Sequence, residues 1–114
     1  MRHLLFSLFL AIALWPLGAV AQTQAEMNES AAKEAAAADQ ELNAVYKKVL
    51  ASQDEEGTAL LRKSQRAWLA YRDAEAAFSA DLFRGGSLAP MQYSETLATL
   101  TRERTAQLKA YLEE

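Results

Sequence analysis

The stretch Gln65-Arg66-Ala67-Trp68-Leu69-Ala70-Tyr71-Arg72-Asp73-Ala74-Glu75 decides the fold, because it contains neither Gly nor Pro and is rich in helix-forming residues. Its large side chains, and those on either side of it, recur at steps of three and four residues, the spacing of one helix face. The predicted core-facing seam of this helix consists of Leu61, Ser64, Trp68, Tyr71, Glu75, Phe78 and Leu82. We therefore expect its aromatic residues to pack in a core rather than to line a ligand site.

Two more helices are predicted, one on each side of this segment. Thr23 and Glu26 form a Thr-x-x-Glu capping box, which predicts the start of the first helix. The apolar stripe of that helix consists of Met27, Ala31, Ala35, Ala38, Leu42, Val45 and Val49. Its first half is mostly Ala, so another helix could approach closely there. The stripe of the third helix consists of Tyr93, Leu97, Leu100, Arg104, Leu108 and Tyr111.

Two polar segments separate the three helices. Residues 52–57 end in Gly57 and carry three acids, which suit the N-terminus of the helix that follows. Residues 84–90 contain two consecutive glycines and Pro90, and Ser87 is the predicted cap of the third helix. The sequence thus predicts an all-α fold, either a three-helix antiparallel bundle or a helical hairpin with a third helix.

The N-terminus has the pattern of a secretory signal peptide. A positive start at Arg2 is followed by an apolar run from Leu4 to Leu14, by Pro16, and by the Ala-x-Ala sequence that ends at Ala21. The apolar run is shorter than the roughly 20 residues that span a bilayer. We therefore predict that residues 1–21 are a signal peptide and residues 22–114 a single helical domain. Without a Cys for lipid attachment, that domain should be periplasmic or secreted.

Composition limits the chemistry of the predicted mature chain. The protein has no Cys, and its one histidine, His3, lies in the predicted leader. The usual imidazole base, thiol nucleophile and soft metal ligands are then missing, so we expect no catalytic residue, no metal, no cofactor and no enzymatic activity. Loss of Arg2 changes the formal charge from −3 to −4. An acidic chain is unsuited to nucleic acid and better suited to a cationic partner.

The acids of the central helix are better explained by structure than by catalysis. Asp73 and Glu75 are two residues apart, which turns their side chains by about 200° around the helix, so they do not share a face. Glu75 and Arg104 instead fall on the predicted seams of the second and third helices. We therefore expect these two residues to form an ion pair inside the bundle, where such a pair would fix the register of the helices.

The same segments resemble the LprI-like lysozyme inhibitor family. The resemblance is carried by Glu26-Met27-Asn28, Leu42-Asn43-Ala44-Val45-Tyr46, Ala67-Trp68-Leu69-Ala70-Tyr71-Arg72-Asp73-Ala74-Glu75, Gly85-Gly86-Ser87 with Pro90-Met91, and Leu100-Thr101-Arg102-Glu103-Arg104-Thr105. It covers nearly the whole predicted mature chain, and the Trp-x-x-Tyr-Arg-Asp and Leu-Thr-x-x-Arg-Thr elements are its most specific parts. It implies a small exported helical domain and, from the member that names the family, binding and inhibition of lysozyme. Its structural signature here is Trp68, Tyr71, Arg72, Asp73, Glu75 and Arg104.

The chain departs from the resemblance at its cysteines. Family members commonly have Cys where Ser30, Ala76 and Thr96 stand here. The helices that disulfides would join in those members must be held together by packing in this protein.

The leading hypothesis is a protein that binds a protein partner, with lysozyme as the candidate, and the alternative is a structural or accessory envelope protein without lysozyme inhibition. A carboxylate-dependent hydrolase is the least favoured class. If the chain contacts a partner directly, we expect the contact at Arg84, Gly85, Gly86, Ser87 and Leu88, since an enzyme cleft requires a protruding element. The simpler interpretation is that these glycines only end the second helix.

Overall fold

The computed structural model describes residues 17–113, with side chains from Thr23 onward, and contains three α-helices and no strand within that range. Helix α1 spans Leu17–Ala51, helix α2 spans Glu55–Asp81 and helix α3 spans Ala89–Leu112. The three helices pack together, which confirms the predicted all-α bundle. Most of the predicted signal peptide, residues 1–16, lies outside the described residues. No helix in the described part is long and apolar enough to cross a membrane.

The two predicted segments between the helices are confirmed, whereas two of the predicted helix caps are wrong. Asp54 caps α2 by accepting a hydrogen bond from the Gly57 amide at 2.7 Å. Thr23 does not cap α1, because in this chain α1 already begins at Leu17 and the capping-box residues lie inside it. Ser87 does not cap α3 either, since the N-cap is Leu88, whose backbone is already in the right-handed helical conformation and which makes no side-chain cap bond.

Contacts between side chains establish the directions of the helices. Glu34 and Glu41 of α1 pair with Arg102 and Lys109 of α3, so these two helices run parallel. Helix α2 runs in the opposite direction, and α3 packs closely against both of the others. Helices α1 and α2 make little direct contact with each other. Helix α3 is therefore the element that holds the bundle together.

The apolar core lies where the C-terminal half of α1 meets α3. Leu42, Val45, Val49 and Leu108 form it, and Tyr46, Leu61 and Trp68 pack against its edge. Towards the other end, the buried residues are small, namely Ala31 and Ala38 on α1 and Ala98, Thr101 and Thr105 on α3. Small side chains let two helix backbones approach closely, so the alanine-rich half of α1 packs as the sequence predicted, with α3 as its neighbour.

The buried face of α2 differs from the predicted seam. Trp68 and Leu61 do pack against the core, but Tyr71, Phe78 and Leu82 are exposed. The α2 residues that do face the bundle lie about one position after the predicted ones in the sequence and include Gln65, Arg72 and Ala76. On α3 the buried line is likewise Ala98, Thr101, Thr105 and Leu108, whereas Tyr93 and Tyr111 are exposed. Large aromatic rings do not fit between helices that approach closely, so smaller residues occupy those interfaces.

Candidate functional site

Arg72 joins all three helices. Its guanidinium donates to Asp39 Oδ1 of α1 at 3.0 Å, to Asp73 Oδ1 of its own helix at 3.0 Å and to Thr101 Oγ1 of α3 at 3.5 Å. It also lies over the Trp68 ring, 5.4 Å from the ring centre, in a cation–π contact. The Arg72 side chain is only 15 % exposed. Four residues of the Trp-x-x-Tyr-Arg-Asp and Leu-Thr-x-x-Arg-Thr elements therefore meet at one structural junction.

Arg104 takes part in a second junction, and the predicted ion pair with Glu75 is wrong. Arg104 Nε donates to Gln65 Oε1 at 3.0 Å, and its terminal nitrogens donate to Ser64 and Gln107. Gln65 lies ten residues before Glu75, which is about 15 Å along α2. The prediction paired Glu75 with Arg104 because both fell on predicted seams, whereas the observed register places Arg104 opposite Ser64 and Gln65.

The turn between α2 and α3, with the last turn of α2, forms an apolar corner, which we define as Phe78 and residues 82–88. Every residue from Leu82 to Leu88 is exposed. Phe78 is 63 % and Leu82 71 % exposed, and Phe83 and Leu88 are also exposed large apolar side chains. Isolated exposed apolar residues are common, but four within eleven residues at one end of a small protein are typical of a contact surface.

The backbone of this corner is fixed by its own hydrogen bonds. The amides of Phe83 and Arg84 donate to carbonyls three residues earlier, and the Gly86 amide donates to the Phe83 carbonyl at 2.9 Å. Gly85 has a φ of 79°, which side-chain-bearing residues rarely adopt. Asp81 accepts two hydrogen bonds from Arg84, and these bonds raise the pKa of the Arg84 guanidinium. The corner thus presents its apolar side chains on an ordered turn.

The predicted site residues fall into two separate groups. Arg84, Gly85, Gly86, Ser87 and Leu88 lie together in the apolar corner, whereas Trp68, Arg72, Asp73 and Arg104 hold the helices together. Tyr71 is 54 % exposed on α2. The sequence prediction omitted Phe78, Leu82 and Phe83 from the corner because their spacing assigned the first two to the core. In the part of the chain that the structure describes, no cluster of His, Cys, Asp or Glu has the arrangement of a metal site.

Helix α1 also contacts α3 through a surface ion pair. Lys109 Nζ donates to Glu41 Oε1 at 2.8 Å, and this hydrogen bond lowers the pKa of Glu41 below its ordinary value. Both side chains are about half exposed. The pair therefore marks the alignment of α1 with α3 rather than a reactive site.

Comparison with known proteins assigns the chain to a family. A curated relative, an uncharacterized protein of Rhizobium meliloti (strain 1021), is 39% identical over an alignment of 106 residues that covers 82% of this chain and 76% of the relative. No solved structure matches. The family model described as "Lysozyme inhibitor LprI" matches residues 18–108, a range that includes both side-chain junctions and the apolar corner. The chain therefore belongs to the LprI lysozyme inhibitor family.

Proposed function

We propose that this protein is exported, that it acts by binding rather than by catalysis, and that its partner is a lysozyme, which it inhibits. Family membership supports a role of this kind. The N-terminal leader pattern supports export to the compartment in which a cell meets lysozyme. The formal charge of −4 after removal of residues 1–21 supports a basic partner, because opposite charges accelerate association.

The apolar corner is the surface that we propose for this contact. The observation that carries the proposal is the high exposure of Phe78 and Leu82 beside an ordered turn. A lysozyme cleft is concave, so a binding element has to protrude into it and present apolar surface. An ordered turn also loses less conformational entropy on binding than a flexible loop.

A lysis assay tests the inhibition. Residues 22–114 are added at micromolar concentration and low salt to lysozyme and bacterial cell walls, and the rate of clearing is measured. We expect slower lysis, with an effect that weakens as salt rises because part of the attraction is electrostatic. Unchanged lysis at every salt concentration would remove the inhibitor proposal and leave a structural or accessory envelope role.

Two matched substitutions test the surface. Leu82→Asp alters the apolar corner, and Leu60→Asp is its control, because Leu60 is also highly exposed on α2 but lies near the opposite end of that helix. We expect Leu82→Asp, and the double variant Ser87→Asp with Leu88→Lys, to lose inhibition at an unchanged melting temperature, while Leu60→Asp retains it. Inhibition that survives in both corner variants would show that the turn only ends α2.

A further inference from the structure

A groove of about 570 Å³ lies between α1 and α2, at the end of α2 remote from the apolar corner. Asn43, Tyr46, Lys47 and Leu50 of α1 line one wall, and Arg62, Gln65, Arg66 and Leu69 of α2 line the other. The groove exists because α1 and α2 make little direct contact while α3 holds both. Its volume lies within the range of small-molecule sites.

The charge of this groove is opposite to that of the whole protein. Lys47, Arg62 and Arg66 are its only ionisable lining groups besides the phenol of Tyr46, and no carboxylate lines it. Among the residues that the structure describes, none of these three cations forms an ion pair, and all three line the same groove. A group of cations without counter-charges in an acidic protein attracts an anion.

Gln65 provides a second, independent feature of this groove. The residue is only 6% exposed. Its Oε1 accepts the hydrogen bond from Arg104 of α3, which fixes the orientation of the amide, because a guanidinium can only donate. Within the described part of the chain the amide nitrogen donates no hydrogen bond to protein and is not fully buried, and Gln65 lines the groove. Donors held in this way suit the oxygen atoms of an anion.

We propose that this groove binds a small anionic amphiphile, a molecule with a phosphate or carboxylate head and a short apolar body. Lys47, Arg66 and the Gln65 amide hold the head, and Leu50 and Leu69 contact the apolar body. Each wall spans eight residues, so the groove is only about 10 Å long, which suits a small molecule better than a partner helix. The site lies about 25 Å along α2 from Leu82, so it is separate from the proposed lysozyme contact.

Titration with octyl phosphate tests the proposal, with binding followed by calorimetry and by backbone amide shifts. We expect saturable binding with shifts at Lys47, Gln65 and Arg66. Inorganic phosphate and octanol, which carry the head or the apolar body alone, should each bind at least tenfold more weakly. Vesicles of phosphatidylglycerol distinguish a lipid in a membrane from a free molecule. Binding to vesicles without binding to octyl phosphate would overturn the proposal, and so would equal binding of inorganic phosphate.

Matched substitutions, each of which replaces a cation with an anion, distinguish binding in the groove from general attraction to the protein surface. Arg66→Glu and Lys47→Glu alter its lining, and the controls Lys63→Glu and Lys48→Glu alter exposed neighbours that do not line it. We expect octyl phosphate affinity to fall at least tenfold in the first pair and to stay within twofold in the controls. Gln65→Glu should also abolish binding, because it retains an oxygen for Arg104 but replaces the two donors. Equal affinity in Arg66→Glu and Lys63→Glu would refute the site.

Discussion

At the scale of single residues, Arg72 carries the most concentrated set of contacts between helices. Its guanidinium hydrogen-bonds to both other helices and lies over an aromatic ring. Charged residues that are largely removed from water need several partners, and Arg72 has two carboxylates and a hydroxyl. The family elements that contain Trp68, Arg72 and Thr101 are therefore explained by packing between the helices.

Replacing Arg72 with Ala should destabilise the fold by about 1.5–3 kcal/mol, because charge-assisted hydrogen bonds to two other helices are lost. The free energy of unfolding is measured by urea denaturation. Arg84→Ala is the matched control, since Arg84 also binds an aspartate but is 81% exposed, and its denaturation midpoint should not move. Similar shifts for both variants would show that the Arg72 contacts are no more stabilising than a surface pair.

At the scale of elements, the contact between α1 and α3 depends on small side chains. Ala31 and Ala38 of α1 and Ala98, Thr101 and Thr105 of α3 are all buried, and α1 and α3 pack closely against each other. These residues leave space for backbones to approach but little space for additional atoms, so the interface should be sensitive to increases in volume.

An enlarged side chain tests this interface. Ala98→Leu should lower the free energy of unfolding by about 1–3 kcal/mol, the usual effect of overpacking a tight contact. Ala106→Leu is the control, because Ala106 is an exposed alanine of the same helix. Thermal denaturation followed by circular dichroism compares the two variants. A melting temperature that falls equally in both would mean that the α1–α3 contact is not close-packed.

The packing of α2 against α3 also bears on the cysteines that the family resemblance implies at Ala76 and Thr96. Arg72 contacts Thr101, and Ser79 hydrogen-bonds to Gln92 and to Thr96. Since the two helices are antiparallel, Ala76, between Arg72 and Ser79, should lie opposite the region of Thr96.

The double variant Ala76→Cys with Thr96→Cys should therefore form a disulfide and gain about 3 kcal/mol of stability when oxidised. Thiol titration and melting temperatures with and without reductant measure both effects. Ala76→Cys with Thr99→Cys is the control, because Thr99 is exposed on α3 and should not pair. Free thiols in the first double variant under oxidising conditions would contradict the proposed alignment.

At the scale of the whole molecule, α3 is the central helix, although it comes last in the chain. Both α1 and α2 pack on α3, and Leu108 of α3 is part of the apolar core. A chain that ends at Gly86 should therefore show no cooperative unfolding transition in urea, because the remaining two helices have little surface in common. A chain that ends at Leu112 is the control and should unfold as the full protein does. A cooperative transition in the shorter chain would show that α1 and α2 fold as an independent hairpin.

The sequence by itself determined the helices, the corners between them and part of the candidate site. Helical periodicity, the acidic start of α2 and the Gly85-Gly86 turn act over a few residues, so they can be predicted without knowing what packs against them. The same reasoning located residues 84–88 of the apolar corner. It also identified Arg72 and Arg104 as structural residues, although it assigned the wrong partner to Arg104.

Only the tertiary structure decided which face of each helix is buried. Helix α2 has two overlapping stripes, one with Tyr71, Phe78 and Leu82 and the other with Gln65, Arg72 and Ala76, and the first is the more apolar. A shift of one residue turns a helix face by about 100°, so the choice between the stripes depends on the neighbouring helix. Small and polar residues face the bundle because α3 approaches closely, and the larger apolar residues remain exposed at the corner. The same arrangement keeps α1 and α2 apart and opens the groove around Gln65. This groove could not be predicted, because it depends on contacts between residues that are distant in the sequence.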